Sequence, residues 1–134
     1  MRKDWDSYFM EMVDMVGSRA TCPRKHVGAI LVKDKKILST GYNGSPHGLE
    51  HCEDIGCMIV DNHCIRTIHA EMNALLQAGK EAKGSILYCN CIPCAICFKL
   101  CIQMGVTKIV YSEDYKSDEA KYWIDSHIID VVKW

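Results

Sequence analysis

The runs His69-Ala70-Glu71 and Pro93-Cys94-Ala95-Ile96-Cys97 hold the side chains of this sequence best suited to chemistry: one imidazole, two thiols and a carboxylate. Two thiolates and an imidazole are three zinc ligands, and they leave the fourth tetrahedral position open to water, as a catalytic rather than a structural zinc requires. Zinc bound by His69, Cys94 and Cys97 would bring the pKa of a coordinated water toward neutrality and supply hydroxide as a nucleophile. Glu71 follows the ligand His69 by two positions, so it need not bind the metal and is available to take the water proton and hand it on. The plainer alternative is a closed zinc knot, with Glu71 an ordinary residue of a helix surface.

The remaining cysteines point to a second metal. Nine cysteines, an odd number, with no signal peptide ahead of them fit a reducing compartment, where clustered thiols are read as ligands rather than as disulfides. Cys22, Cys52, Cys57 and Cys64 form an early group with the ligand count of a closed structural zinc. His51 or His63 could replace one of the four, and the alternative to a metal is a set of buried free thiols. In the late group, Cys89 reads as core filler, Cys101 as a buried apolar residue, and Cys91 as an extra thiol three positions before a ligand.

The elements that must position these groups are legible from periodicity. Apolar residues at Trp5, Phe9, Met12, Val13 and Val16 mark one face of a helix ending near Gly17. Val27 to Val32 and Ile37 to Tyr42 read as strands of a hairpin turning at Lys33-Asp34-Lys35-Lys36. Asn43 to about Arg66 reads as a long irregular segment that a metal would hold together. Thr67 is placed to cap a helix from Ile68 to Ala78 with Gly79 as its stop, which puts His69 and Glu71 in the first turn. Ser85 to Cys89 reads as a strand. Pro93 opens a second helix that carries Cys94 and Cys97, with Ile96, Leu100 and Met104 behind them. Lys108 to Tyr111 and Ile128 to Val132 complete the strands, separated by a polar helical stretch near Asp118 to Ser126. Strands alternating with helices after an opening hairpin imply a mixed α/β sheet covered on both faces.

At 134 residues the chain is expected to be one domain, 1–134, with the whole site inside it. Sixteen basic against seventeen acidic residues, a net charge of −1, give no broad basic field, so no nucleic-acid partner is expected. No apolar run approaches a membrane span, and a cytoplasmic location is expected.

The motif His-x-Glu followed by Pro-Cys-x-x-Cys resembles the signature of zinc-dependent nucleobase deaminases. Ser18-Arg19-Ala20-Thr21-Cys22-Pro23-Arg24, Val27-Gly28-Ala29, Gly41-Tyr42-Asn43-Gly44-Ser45-Pro46, His51-Cys52-Glu53, Gly56-Cys57 and Cys64-Ile65-Arg66-Thr67-Ile68-His69-Ala70-Glu71 closely resemble the bacterial and phage branch of the deoxycytidylate deaminases. That resemblance covers nearly the whole chain. It implies an α/β/α sandwich of three layers around a mixed, about five-stranded sheet, commonly assembled as a hexamer. It implies hydrolysis of dCMP to dUMP and ammonia for thymidylate synthesis, with Glu71 as proton shuttle.

By the same resemblance Asn43 reads the deoxyribose, Arg24 meets the 5′-phosphate, Ala70 meets the substrate, and Tyr115 and Lys116 close over the nucleotide. Asn43-Gly44 is also a plain turn dipeptide, and Arg24 or Lys116 also reads as solvated surface charge. Activation by dCTP with Mg2+ and inhibition by dTTP are implied near Gly41, Tyr42 and Gly44. A second zinc is implied at Cys22 and Cys52, with Cys57 and Cys64 standing where phage relatives have histidines.

Tyr88-Cys89-Asn90-Cys91 departs from the family, which has a Val-Thr pair after the tyrosine; Asn90 then replaces a threonine near the base. Two other readings stay open. One is a deaminase acting on another nucleoside, a nucleotide or tRNA adenosine. The other is a non-catalytic, zinc-stabilised interaction module.

Overall fold

A computed structural model describes residues 1–114 and 118–134. Along the chain run α1 (Trp5–Gly17), β1 (Gly28–Lys33), β2 (Lys36–Tyr42), α2 (Cys52–Ile55), β3 (Ile59–Val60), β4 (His63–Cys64), α3 (Ala70–Ala78), β5 (Ile86–Cys91), α4 (Ala95–Met104), β6 (Lys108–Glu113), α5 (Lys121–Ile124) and β7 (Asp130–Lys133). Five strands form one sheet in the order β2-β1-β5-β6-β7. β1 is antiparallel to β2 and β5, while β5, β6 and β7 are parallel, so the sheet is mixed as expected. Among the described residues, no helix is long and apolar enough to cross a membrane.

Alternation along the central strands builds the two outer layers. Ile30 and Val32 of β1, Tyr88 of β5 and Val110 of β6 turn to one face and bury Phe9, Met10 and Val13 of α1. Ala29, Leu31, Leu87 and Ile109 turn to the other and pack under Ala74 and Leu75 of α3 and Phe98 and Cys101 of α4. β1 is therefore apolar on both faces, the pattern of a strand with helices above and below.

Several local expectations are corrected. α1 is capped by Asp4, whose carboxylate accepts from Ser7 N, and its buried face is Phe9, Met10, Val13 and Gly17, leaving Trp5 half exposed. α4 buries Cys97, Phe98 and Cys101, whereas Ile96 and Leu100 are 57% and 40% exposed. That helix is apolar nearly all round, so periodicity alone did not choose its inner face. β5 runs on to Cys91, because its parallel pairing with β6 continues to Glu113.

The segment from Asn43 to Arg66 has structure of its own: α2, then the ladder of β3 and β4 turning at Asp61 and Asn62, both with positive φ. Asp34 and Lys35 make the same kind of two-residue turn between β1 and β2, where the hairpin was expected.

β2 and α3 meet closely enough to fix the site. Ser39 Oγ donates to Ala74 O at 2.7 Å, and Asn73 Nδ2 donates to Tyr42 O at 2.9 Å. A Cβ on Gly41 would collide with the Ala70 carbonyl oxygen, so only glycine lets the helix start lie against this strand.

Candidate active site

Two helix N-termini converge on one point. His69 is the N-cap residue of α3 and Cys94 that of α4, each with extended backbone, and neither caps through its side chain. The expected starts at Thr67 with Ile68, and at Pro93, are thus displaced by two residues. The consequence is chemical: a cap residue that does not fold back on its own amides keeps its donor atom for something else.

His69 Nδ1 lies 3.3 Å from Cys97 Sγ and 3.5 Å from Cys94 Sγ. The three donor atoms lie within 4.8 Å of one another. Tetrahedral zinc bonded at ordinary Zn–N and Zn–S lengths has N···S edges of about 3.5 Å, so this donor set fits a three-ligand zinc.

The charge balance of the cluster agrees with that use. A hydrogen bond from the Cys97 thiol, aided by His69, lowers Cys94 to about 4, while Cys97 is pushed well up by Cys94 and by burial. The Cys94 thiolate in turn raises His69 against the effect of its burial. Glu71, only 4% exposed, is raised by burial, with Cys97 and His69 opposing. A carboxyl whose environment disfavours its charge is fitted to pick up a proton and release it again.

A cavity of about 270 Å³ opens over these groups. His69, Ala70, Glu71 and Cys94 line it, as do Arg24 and Asn43 from the predicted substrate contacts. Asn43 is 8% exposed, and its amide is already engaged: Oδ1 accepts from Val27 N at 2.8 Å and Nδ2 donates to Lys25 O at 2.8 Å. One N–H and one lone pair remain to it. Gly41, Tyr42 and Gly44 instead line a separate cavity of about 490 Å³, together with Arg19, His47 and His51. Tyr115 and Lys116 lie outside the described residues.

Asn90 does not line the first cavity. Its Oδ1 accepts from Gly28 N at 3.1 Å and its Nδ2 donates to His26 O at 3.0 Å, so it clasps the start of β1 to β5. Lys25, His63 and Cys91 line the first cavity and were not among the predicted contacts. Adjacency to Arg24 and the extra thiol at Cys91 were the available signals.

The early cysteines also gather. Cys22 Sγ and Cys57 Sγ are 3.8 Å apart, Cys52 Sγ and Cys64 Sγ 3.6 Å, and Cys22, Cys52 and Cys57 form one group within 4.8 Å. Tetrahedral zinc thiolates have S···S edges of about 3.8 Å. Burial pushes Cys52 up to about 12; Cys64, against its own burial, is drawn down to about 7 by the backbone amides of Arg66 and Met58. All nine cysteines are free.

The sequence profile of the cytidine and deoxycytidylate deaminase zinc-binding region matches residues 3–113. ComE operon protein 2 of Bacillus subtilis is 47% identical over 119 residues, which is 87% of this chain and 63% of that protein. The deoxycytidylate deaminase of Saccharomyces cerevisiae is 38% identical over 91% of this chain, but the match spans only 42% of the yeast protein. The chain thus covers less than two thirds of these relatives. The crystal structure of the dCMP deaminase from cyanophage S-TIM5 in complex with dCMP and dUMP superposes with a TM-score of 0.86 at 30% identity, covering 100% of this chain and 99% of that one. With the matched profile spanning most of the sequence, the chain belongs to the cytidine and deoxycytidylate deaminase zinc-binding family.

Proposed function

We propose that this chain hydrolyses dCMP to dUMP and ammonia, feeding thymidylate synthesis. The observation that carries the reading is the joining, in one cavity, of a three-donor zinc set and a buried Glu71, in a fold shared over its full length with an enzyme crystallised with dCMP and dUMP. Zinc held by His69, Cys94 and Cys97 supplies the Lewis acidity that activates water at neutral pH. Glu71 takes the proton of the attacking water at its carboxylate, gives it to the ring nitrogen, and delivers a proton to the departing amino group. Arg24 offers a guanidinium fork to the 5′-phosphate. Asn43 reads the deoxyribose with the hydrogen-bonding capacity its backbone clasp leaves over, and Ala70 meets the substrate. Tyr115 and Lys116 close over the nucleotide, as the resemblance implies.

Cys22, Cys52, Cys57 and Cys64 hold a second, structural zinc. The pairs Cys22–Cys57 and Cys52–Cys64 sit at zinc-thiolate spacing, and Cys22, Cys52 and Cys57 lie within 4.8 Å of one another, while His51 and His63 line the two different cavities. The second cavity takes dCTP with Mg2+ as activator or dTTP as inhibitor, beside Gly41, Tyr42 and Gly44. The protein works as a cytoplasmic homo-oligomer, a hexamer by resemblance.

The test is conversion of dCMP by zinc-loaded protein, with and without dCTP and Mg2+, beside a Glu71→Ala control. Release of dUMP and ammonia that disappears in the control is the expected result. No conversion by protein shown to contain zinc overturns the reading in favour of another amino-substituted base or a non-catalytic role.

A further inference from the structure

The active-site cavity holds a cation that the proposed reaction has not used. Lys25 Nζ lies 3.1 Å from Cys91 Sγ, and both residues line the cavity with Glu71 and Cys94. The main chain of Lys25 is gripped as well, since its carbonyl accepts from Asn43 Nδ2 at 2.8 Å and Val27 N, two residues on, donates to Asn43 Oδ1. Cys91, 5% exposed, is itself fixed at the end of β5 by pairing with Glu113 of β6. A lysine left in solvent has much rotamer freedom to lose on binding a ligand. This one is tethered at both ends and already turned to the cavity.

We propose that Lys25 is a specificity-determining residue: its ammonium, seated against Cys91, contacts the 5′-phosphate and sets the preference for nucleotide over nucleoside. The inference rests on dCMP being the substrate. A thiol is a weak hydrogen-bond acceptor, so the contact with Cys91 orients the ammonium without competing strongly with a phosphate oxygen. A carboxylate at that position would compete with the phosphate. Among the described residues lining the cavity, Glu71 is the sole acid, set against Arg24 and Lys25. The two cations differ in kind: Arg24 provides a planar fork, whereas Lys25 provides a compact charge that follows the phosphate as it settles.

The test compares steady-state constants of the zinc-loaded full chain for dCMP and for deoxycytidine, in the wild type and in Lys25→Met, Lys25→Arg and Cys91→Val. Lys25→Met is expected to raise KM for dCMP by about tenfold to a hundredfold, the range of a lost charge-assisted hydrogen bond, with a much smaller effect on kcat. The preference for dCMP over deoxycytidine falls by the same factor, and Lys25→Arg restores most of it. Cys91→Val, which removes the seat but keeps the cation, raises KM for dCMP by about threefold. A Lys25→Met enzyme that keeps its preference, or a preference that Lys25→Arg fails to restore, overturns the assignment and leaves the contact as a structural clasp. A wild-type enzyme without preference for dCMP overturns the underlying reading before any variant is made.

Discussion

The two sulfur clusters are made of similar donors and rest on opposite foundations. His69, Cys94 and Cys97 sit at the starts of α3 and α4, helices of 9 and 10 residues whose inner faces belong to the main core. Cys52, Cys57 and Cys64 sit on or between a four-residue helix and two-residue strands, with Cys22 coming from the loop before β1. Leu49, Ile55, Met58, Ile59, Val60 and Ile65 in that stretch are exposed, so little apolar burial holds it. In the first region the fold arranges the ligands. In the second, the proposed zinc would let the ligands arrange the fold, as in small domains where metal binding and folding are one event.

Removing the proton acceptor tests the first region hardest. Glu71→Gln keeps shape and loses the carboxylate, so kcat should fall by about 10²- to 10⁴-fold while bound zinc, measured by metal analysis, stays the same. The second region fails differently. Cys52→Ser should lower zinc content by one ion per chain and bring early proteolytic cleavage between residues 49 and 66. Forfeiting a ligand bound at a hundred times its Kd costs about 2.7 kcal/mol of stability. Equal protease resistance in Cys52→Ser and wild type would remove the contrast between the two clusters. Gly41→Ala sits between the extremes: the collision with Ala70 should cost about 1–3 kcal/mol in denaturant unfolding and raise KM by shifting the start of α3. Asn90→Ala is expected to be mildest, at about 1–2 kcal/mol for two lost bonds to the 26–28 backbone, with little change in kcat.

How much of this was legible follows the same division. α1 and the first hairpin announce themselves through periodicity, the two ligand helices through the stop at Gly79 and the opening at Pro93, and the ligands through spacing. α2, β3 and β4 are too short to show a period, so their segment read as irregular. The cap positions were missed because Thr67 and Pro93 have the better local propensity, whereas the chain is held extended up to His69 and Cys94. Asn90 and Lys25 were hidden for a third reason. Their partners are far away in sequence, Asn90 on residues 26 and 28 and Lys25 on Cys91, and no local pattern encodes such a pairing.

The stretch Gly41-Tyr42-Asn43-Gly44 is a party wall. Asn43 faces the chamber above the zinc donors, while Gly41, Tyr42 and Gly44 face the second chamber. The wall is bonded along its length, Tyr42 O to Asn73, Asn43 to residues 25–27 and Gly44 to Ile68. A group placed in the second chamber would rest on the same few peptide planes that carry Asn43 on their other side.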